Sequence, residues 1–370
     1  MDSLIEKAKS RSQPKADESI GYANIKIVGC GGAGNNTVDR LMKIGIKGAK
    51  CISINTDRQH LDMREAHIKL LIGKQLTRGL GAGGDPKIGR AAAEESIDDI
   101  NDILRGSDLV FITCGEGGGT GTGSAPIIAE IAKNEGAIVV GVVSLPFKTE
   151  IGRIKKARKG INILKKYVDT LVVIDNNRLM EIAPDLPILE AFSVADEVLA
   201  TMVKGITETI SLPSLINLDF ADVRTVLRTG GVAIVGIGES SNAENRVDEA
   251  IKDALSSPLL DVDIDGAKGA LIHVSGGNDM TLEESNSVAE KISQKMDVNN
   301  SMVIWGARVS DEFDGFLRIM LLITGIKSPQ IFGNQPSQES FNRNLLDPNV
   351  SRSKLGLSSD LFDIEEISFD

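Results

Sequence analysis

The fold of this chain is decided by one glycine-rich stretch, Gly115-Glu116-Gly117-Gly118-Gly119-Thr120-Gly121-Thr122-Gly123-Ser124-Ala125-Pro126. It follows an apolar run, Asp108–Thr113, that is typical of a buried strand, and it precedes a helical pattern, Ile127–Lys133. A glycine-rich loop between a strand and a helix brings free N–H groups and the positive end of the helix to one point, where an anion binds best. The stretch therefore predicts a site for the phosphates of a nucleotide.

Two more glycine-rich loops follow predicted strands in the first half of the chain. They are called the first and third loops below, and the stretch at 115–126 is called the second loop. The strand Asn24–Val28 runs into Gly29–Gly34, which satisfies the G-x-G-x-x-G pattern, and a helix, Thr37–Ile44, is predicted after it. The third loop, Thr77–Pro86, should end at the N-terminus of a helix, Lys87–Leu104, with Asp85 as the N-cap. Three such loops suit a triphosphate that is held from several sides, and a mobile surface loop is the alternative for the third.

The glycines at 117–123 are not followed by the lysine of a Walker A loop. The charge of the phosphates must therefore be met by backbone N–H groups, by the helix dipole and by a metal ion. The first loop leaves another class of protein open. Dinucleotide-binding proteins share its glycine pattern, and Asp57 lies roughly where their ribose-binding acid is expected. That alternative predicts an NAD-dependent oxidoreductase.

The order of the apolar runs predicts the fold class. Strands at 137–143 and 171–175 alternate with helical stretches, which is typical of an α/β doubly wound parallel sheet with its ligands beyond the carboxyl ends of the strands. Apolar positions recur at helical spacing over 188–210 and predict a long central helix buried between two domains. Strand-like and helical runs at 230–326 predict a smaller α+β domain.

Two sets of side chains at the long helix and after it carry candidate chemistry. Phe192 and Asp196 lie at i and i+4, where a ring and a carboxylate can bind guanine; the alternative puts Phe192 in the core and Asp196 in solvent. Asp219 and Asp222 lie three residues apart, close behind Asn217, and can polarise a water that attacks a phosphoryl group. Helix capping is the alternative for Asp219.

The composition argues against several classes of function. A formal net charge of −11 and an aromatic content of 4% disfavour nucleic-acid binding. The three cysteines lack paired spacing and the three histidines lie apart, so neither disulfides nor structural zinc is expected. No apolar run is long enough to span a bilayer, and the first residues lack the apolar core of a signal peptide. These features predict a cytoplasmic protein without direct membrane insertion.

The chain divides into five predicted segments. A polar N-terminal arm (1–22) precedes a nucleotide-binding domain (23–187), the central helix with its acidic loop (188–222) and the smaller domain (223–327). The last segment (328–370) is predicted to be a disordered linker that ends in acidic residues interspersed with apolar ones. Such a tail is typical of a peptide that docks on a partner, and an inert solubilising tail is the alternative.

Three separated motifs, at 29–36, 117–123 and 217–222, occur in a characteristic order and spacing. By these motifs the chain resembles the FtsZ family of prokaryotic tubulin-like cell-division GTPases, and its tail is more similar to those of archaeal members. The resemblance implies a GTPase that polymerises head-to-tail into filaments, is activated by self-assembly and forms a ring at mid-cell. A role in cell shape is the alternative within the same family.

The resemblance also implies which residues bind the phosphates and ribose of GTP or GDP. Glu150 and Arg153 match positions that contact the ribose. Asn35 and Asn36 are alternatively N-cap residues of the helix that follows them. The residues implied in the first two glycine loops are Gly32, Ala33, Gly34, Asn35, Asn36, Gly119, Thr120 and Gly121.

The remaining roles concern the base, the metal and the partners. By resemblance, Phe192 and Asp196 contact the guanine, and Mg²⁺ binds mainly through the phosphates. Asn217, Asp219 and Asp222 match the catalytic loop, which in this family acts on the nucleotide of the next subunit. The tail would bind a membrane-anchoring adaptor.

Overall fold

The computed structural model describes residues 23–178, 188–211, 216, 218–242, 244–256, 267–296 and 301–326. The predicted N-terminal arm and the predicted linker and tail lie outside these residues. The strands within them are β1 (Ile25–Cys30), β2 (Ala49–Asn55), β3 (Ile68–Leu71), β4 (Leu109–Gly115), β5 (Ile138–Leu145), β6 (Thr170–Asp175), β7 (Val232–Ser240), β8 (Gly269–Gly276), β9 (Met302–Val309) and β10 (Leu317–Ile326). They form one sheet in the order β3-β2-β1-β4-β5-β6-β7-β10-β8-β9.

Helices follow most of these strands. Those of the described ranges are α1 (Gly31–Ile44), α2 (Arg58–Asp62), α3 (Pro86–Glu95), α4 (Ile97–Leu104), α5 (Thr120–Asn134), α6 (Ile151–Leu164), α7 (Ile188–Ser211), α8 (Phe220–Arg228), α9 (Arg246–Ser256) and α10 (Leu282–Ser293), with one 3-10 turn at Asp311–Phe313.

The first six strands form a parallel sheet with β1 at its centre, between β2 and β4. Every residue of β1 is buried, because helices cover both faces of the sheet. On one face α1 and α7 bury Leu41 and Val203, and on the other α5 and α6 bury Ile128 and Leu164. The predicted doubly wound α/β architecture is confirmed.

The last four strands extend the same sheet with a different topology. β10 lies antiparallel between β7 and β8, and β9 pairs parallel with β8. The helices α9 and α10 pack on these strands through Ile251 and Val288. β6 and β7 join the two parts along a short stretch that begins at Leu171 and Val232. The predicted smaller α+β unit is therefore present.

α7 runs along the junction of the two parts. It is 24 residues long and so spans about 36 Å at the usual helical rise. Its own residues Leu199, Met202 and Ile206 are buried in the core, as its apolar stripe predicts. At its end the Ser211 hydroxyl donates to the carbonyl of Gly48 at 3.3 Å, just before β2 begins. The helix therefore ends at the amino edge of the parallel strands.

Two helices begin earlier than their apolar patterns predict. α1 begins at Gly31 rather than at Thr37, and α5 begins at Thr120 rather than at Ile127. The reason is that part of each glycine-rich loop already forms the first helical turns. Glycine and small polar residues occupy these turns, so the apolar side chains at helical spacing that predict a helix are absent there. The first turns of both helices are therefore made of residues that approach other backbones closely.

The single helix predicted from Lys87 to Leu104 is two helices, α3 and α4, which meet at Ser96. The Ser96 hydroxyl accepts the backbone N–H of Gly73 at 3.2 Å. This bond anchors the break to the chain that follows β3.

Replacing Ile206 by Ala should lower the free energy of unfolding by about 2–5 kcal/mol, since the side chain is fully buried and its loss leaves a cavity. The matched control is Ile151→Ala, because Ile151 is 78% exposed and its loss should cost less than about 0.5 kcal/mol. Urea unfolding followed by circular dichroism measures both. Equal losses in the two variants would contradict the packing of α7 on the sheet.

Candidate functional site

The first two glycine loops touch at the carboxyl edge of the parallel sheet. Gly31 has a φ of +70°, and a Cβ on it would lie only 2.8 Å from the backbone nitrogen of Gly121. The hydroxyls of Thr56 and Thr120 are 2.6 Å apart, which ties the end of β2 to the same point. Only glycine tolerates both this backbone angle and this approach.

The third loop packs against the second in the same way. A Cβ on Gly119 would lie 2.8 Å from the backbone nitrogen of Asp85, and a Cβ on Gly123 would lie 2.1 Å from the carbonyl oxygen of Pro86. Asp85 caps α3 as predicted, since its carboxylate accepts the backbone N–H of Lys87 at 2.9 Å. Thus all three loops converge at one edge of the sheet.

The first two loops border a cavity of about 240 Å³. α1 and α5 both begin beside it, and no side chain caps the first turn of either helix. Unsatisfied N–H groups at two helix N-termini favour an anion in the cavity. The lining residues are Cys30, Gly32, Ala33, Gly115, Glu116, Gly118, Gly119, Thr120, Gly121, Ser144, Leu145, Pro146, Glu150, Arg153 and Asn176.

Two residues implied for the first loop lie behind it rather than on the cavity. The Asn35 amide donates to the carbonyl of Gly29 at 2.8 Å and accepts from the Asn55 amide at 2.8 Å. A Cβ on Gly34 would lie 2.2 Å from the carbonyl oxygen of Thr113. Both residues therefore brace the loop against β1, β2 and β4. The N-cap interpretation of Asn35 is wrong, because α1 begins before it.

Asn36 and Asn176 each carry a buried amide oxygen that has no hydrogen-bond partner. The helix begins before Asn36 too, so its N-cap interpretation is also wrong. Buried acceptors without a partner are rare in native proteins, and a bound ligand is a common reason for them. Asn176 directly follows β6 and lines the cavity. Sequence reasoning missed Asn176, although a polar residue at the carboxyl end of a parallel strand is a signal for ligand binding.

Glu150 and Arg153 lie at the start of α6, on the rim of the cavity. Their side chains form an ion pair with an N–O distance of 2.6 Å, and 62% of the Arg153 side chain is exposed. Glu150 also accepts the backbone N–H of Phe147 at 3.2 Å. A Cβ on Gly117 would lie 2.7 Å from the carbonyl oxygen of Arg153. The first turn of α6 is therefore packed directly on the second loop.

Asp196 of α7 lies beside α1, where its carboxylate accepts from the Thr37 hydroxyl at 3.3 Å. Thr37 directly follows Asn36, whose buried amide oxygen has no hydrogen-bond partner. Burial raises the pKa of Asp196 to about 6, against the opposing effect of the Thr37 hydroxyl and of two arginines. Asp196 is thus half-buried rather than solvated, contrary to the alternative considered for it. The side chain of Phe192 lies outside the described residues.

Asp219 and Asp222 lie at the start of α8, away from the cavity. Asp219 is the N-cap of that helix, so the capping interpretation is confirmed. Both carboxylates are exposed, whereas Asn217 lies outside the described residues. At the other end of α8 the carbonyl of Leu227 accepts from the hydroxyl of Thr170, where β6 begins. α8 is therefore tied to the amino edge of the parallel sheet.

Asp57, the acid that would bind a ribose in the oxidoreductase alternative, has a structural role. Asp57 is the N-cap of α2, and its carboxylate accepts the backbone N–H of His60 at 3.0 Å. In the part of the chain that the structure describes, no group of three or more His, Cys, Asp or Glu is placed to hold a metal ion. None of the helices within the described ranges is long and apolar enough to cross a membrane.

Three converging glycine loops at the carboxyl edge of a doubly wound sheet, without a Walker A lysine, define a nucleotide-binding protein of the tubulin-like class. Residues 24–184 match the model of the Tubulin/FtsZ family GTPase domain, and residues 231–327 match that of the FtsZ family C-terminal domain. The chain belongs to the FtsZ family of cell-division GTPases.

Relatives agree over most of the chain. Cell division protein FtsZ 2 of Methanocaldococcus jannaschii is 56% identical over 89% of this chain and 88% of its own length. The empty FtsZ dimer of M. jannaschii is 52% identical, with a TM-score of 0.79 over 88% of this chain and 92% of that one. CetZ1 of Haloferax volcanii, at 23% identity, shares the fold with a TM-score of 0.72 over 84% of this chain and 96% of its own. The predicted family, tubulin-like fold and GTPase class are confirmed, and the oxidoreductase alternative is not supported.

Truncating Asn176 to Ala should weaken GDP binding about tenfold. The nucleotide then loses a hydrogen-bond acceptor in a buried site, where a water molecule does not easily take the place of the amide oxygen. Asn134→Ala is the matched control, since Asn134 is exposed at the far end of α5 and its variant should bind GDP like the parent. Isothermal titration calorimetry with GDP measures both. An unchanged affinity of the Asn176 variant would show that its unpartnered oxygen does not face the nucleotide.

Proposed function

We propose that this chain binds GTP in the cavity at the carboxyl edge and hydrolyses it to GDP and phosphate. The first two loops supply backbone N–H groups, and the uncapped N-termini of α1 and α5 supply positive charge, for the phosphates. Glu150 and Arg153 lie on the rim, where they would contact the ribose. Gly32 and Ala33 of the first loop, with Gly119, Thr120 and Gly121 of the second, form the wall that the phosphates would touch.

The base would lie between α1 and α7. Guanine offers two adjacent donors, its N1–H and its amino group, which match a carboxylate and amide oxygens. Asp196 and Asn36 bring such acceptors together on the two helices, and Asn36 has an oxygen that lacks a partner. Phe192 precedes Asp196 by one helical turn and is proposed to stack on the base. The acceptor pattern supports guanine rather than adenine, which lacks these donors.

Mg²⁺ is proposed to accompany the nucleotide. The second loop contributes backbone and hydroxyl groups but no lysine, so the phosphate charge exceeds what the described lining residues neutralise. The absence of a clustered ligand set among the described residues supports a metal held mainly by the phosphates themselves. When bound, Mg²⁺ would supply charge stabilisation to the phosphoryl group.

The chemistry is proposed to be shared between two subunits. The observation that carries this proposal is the direction of α7, which contacts α1 first at Thr37 and, further along, at Ile44. From Asp196 to Ser211, α7 thus runs about 22 Å, from the edge that bears the cavity to the opposite edge. Asp219 and Asp222 follow it and lie at that opposite edge. They are too far away to act on the nucleotide of their own chain.

A neighbour bound head-to-tail would bring these acids to the nucleotide. Asp222, with Asp219 and Asn217, would hold and polarise the attacking water. A contact between two different surfaces repeats along a filament rather than closing into a dimer. We therefore propose head-to-tail filaments that assemble the division ring at mid-cell, with GTP hydrolysis switched on by assembly. The tail, outside the described residues, is proposed to bind a membrane-anchoring adaptor.

GTP turnover per subunit should rise with protein concentration, because the site is complete only at a contact between subunits. Replacing Asp222 by Asn should lower the turnover by at least about 100-fold at every concentration while GDP binding is kept. Asp98→Asn is the matched control, since Asp98 is an exposed acid in the first turn of a different helix, α4. Phosphate release measured over a range of protein concentrations tests this. A constant turnover per subunit would overturn the shared site.

Mixing two inactive variants tests the division of the site directly. Gly118→Asp places a carboxylate in the cavity at a position where a Cβ meets no protein atom closer than 3.7 Å, so it should block the phosphates without disturbing the loop. Its acidic loop is intact, whereas Asp222→Asn keeps an intact cavity. An equal mixture should regain activity, because about a quarter of the contacts in a random filament then join two intact halves. Activity no higher than that of the separate variants would contradict the proposal.

A further inference from the structure

A buried carboxylic acid lies within the second glycine loop and has no role in the function proposed above. Glu116 is only 3% exposed, and it lines the same cavity as Gly118 and Gly119. Acids are almost never buried without a charged partner. Its position beneath a site for phosphates makes the charge of this one side chain important for nucleotide binding.

The carboxyl group is enclosed by three elements. Its Oε1 accepts from the thiol of Cys114 in β4 at 3.8 Å, and its Oε2 is buried without a hydrogen-bond partner. A Cβ on Gly160 of α6 would lie 2.1 Å from Oε2, so α6 closes the site on that side. From α5, the Thr122 hydroxyl accepts the N–H of Gly117 at 2.9 Å. The loop is thus built around the carboxyl group.

The groups that face Glu116 from β1 and β4 remain uncharged. Burial raises the pKa of the Cys30 thiol to about 12 and that of the Cys114 thiol well above its usual value, so both stay protonated at neutral pH. From β5 the carbonyl of Ser144 accepts the backbone N–H of Glu116 at 2.9 Å. α5 contributes the hydroxyls of Thr122 and Ser124, which carry no charge.

α6 brings no cation to the carboxyl group either. Lys156 and Lys159 of this helix are exposed, and Lys156 donates to the carbonyl of Gly84 in the third loop at 2.6 Å. The Arg153 guanidinium is paired with Glu150. Within the described residues, therefore, no positive group stabilises an ionised Glu116.

Burial accordingly raises the pKa of Glu116 to about 7, although Thr122 and Cys114 favour the ionised form. Both protonation states are then populated near neutral pH. In the unfolded chain this carboxyl group loses its proton near the ordinary glutamate pKa of 4.5. Folding stability from this group therefore falls as the pH rises from about 4.5 to about 7 and is constant above that range.

We propose that Glu116 makes nucleotide affinity depend on proton concentration. This inference rests on the proposed binding of GTP and GDP in the cavity. With its carboxyl group neutral, the second loop presents only N–H and hydroxyl donors to the phosphates. With the carboxyl group ionised, a negative charge is buried within the same loop, beside the cavity, and repulsion weakens the binding of a nucleoside diphosphate or triphosphate. Nucleotide binding in turn takes up a proton.

The dissociation constant for GDP, measured by isothermal titration calorimetry, tests the proposal. Between about pH 6 and about pH 8, the constant of the wild-type protein should rise about tenfold more than that of Glu116→Gln, which stays neutral. Because both proteins share Asp196 and the phosphates of GDP, their titration cancels in the ratio of the two constants. Glu130→Gln, which changes an exposed acid of α5, should follow the wild-type protein.

Parallel pH profiles of the wild-type protein and Glu116→Gln would overturn this inference while GDP binding itself upheld the proposed function. A wild-type protein that binds no GDP at any pH would overturn both. If the Gln variant does not fold, ¹³C NMR of selectively labelled glutamate in the wild-type protein decides instead. The carboxyl resonance of Glu116 should then titrate at a higher pH with GDP than without it, and an unchanged midpoint would overturn the inference.

Discussion

The close approach of three backbone segments at one edge of the sheet is the constraint on which this structure depends. Gly31 against Gly121 and Gly119 against Asp85 leave no space for a Cβ between them. Because these positions have no side chain, the loops can close around a cavity and two helices can begin at its wall. A side chain at either contact would separate the segments and remove the cluster of N–H groups on which phosphate binding relies.

The second organising feature is the direction of α7. It runs beside α1 from the cavity to the opposite edge of the parallel strands, so that the acidic residues after it face away from the cavity of their own chain. The same helix packs on the parallel sheet and borders the smaller unit. A single rigid element thereby sets both the internal packing and the separation of the two halves of the proposed active site.

Polar atoms without partners mark the cavity as a place built for a ligand. One side-chain oxygen each of Asn36, Asn176 and Glu116 is buried and unpaired, which costs free energy in the absence of a ligand. Such a cost is offset when donors of a bound molecule reach the amide oxygens. Glu116 differs from the amides, because protonation rather than a ligand donor relieves its burial, and this couples the loop to the surrounding pH.

Much of this protein was determined by local sequence. Glycine spacing located the three loops, alternating apolar runs located the parallel strands, and Asp85 and Asp219 were recognisable as helix caps because capping depends on neighbours in the chain. The combination of motifs also identified the family. These features survive without tertiary information because each is encoded within a few residues or one period.

Other features were decided only by the tertiary structure. That Asn35 braces the strands while Asn36 keeps an unpaired oxygen depends on which strand ends surround them, and adjacent residues of one type look alike in the sequence. Asn176 and Glu116 gained their importance from burial against distant elements. The opposite placement of the cavity and the acidic residues likewise followed from the packing of α7 on the sheet, since spacing along a chain carries no information on direction in space.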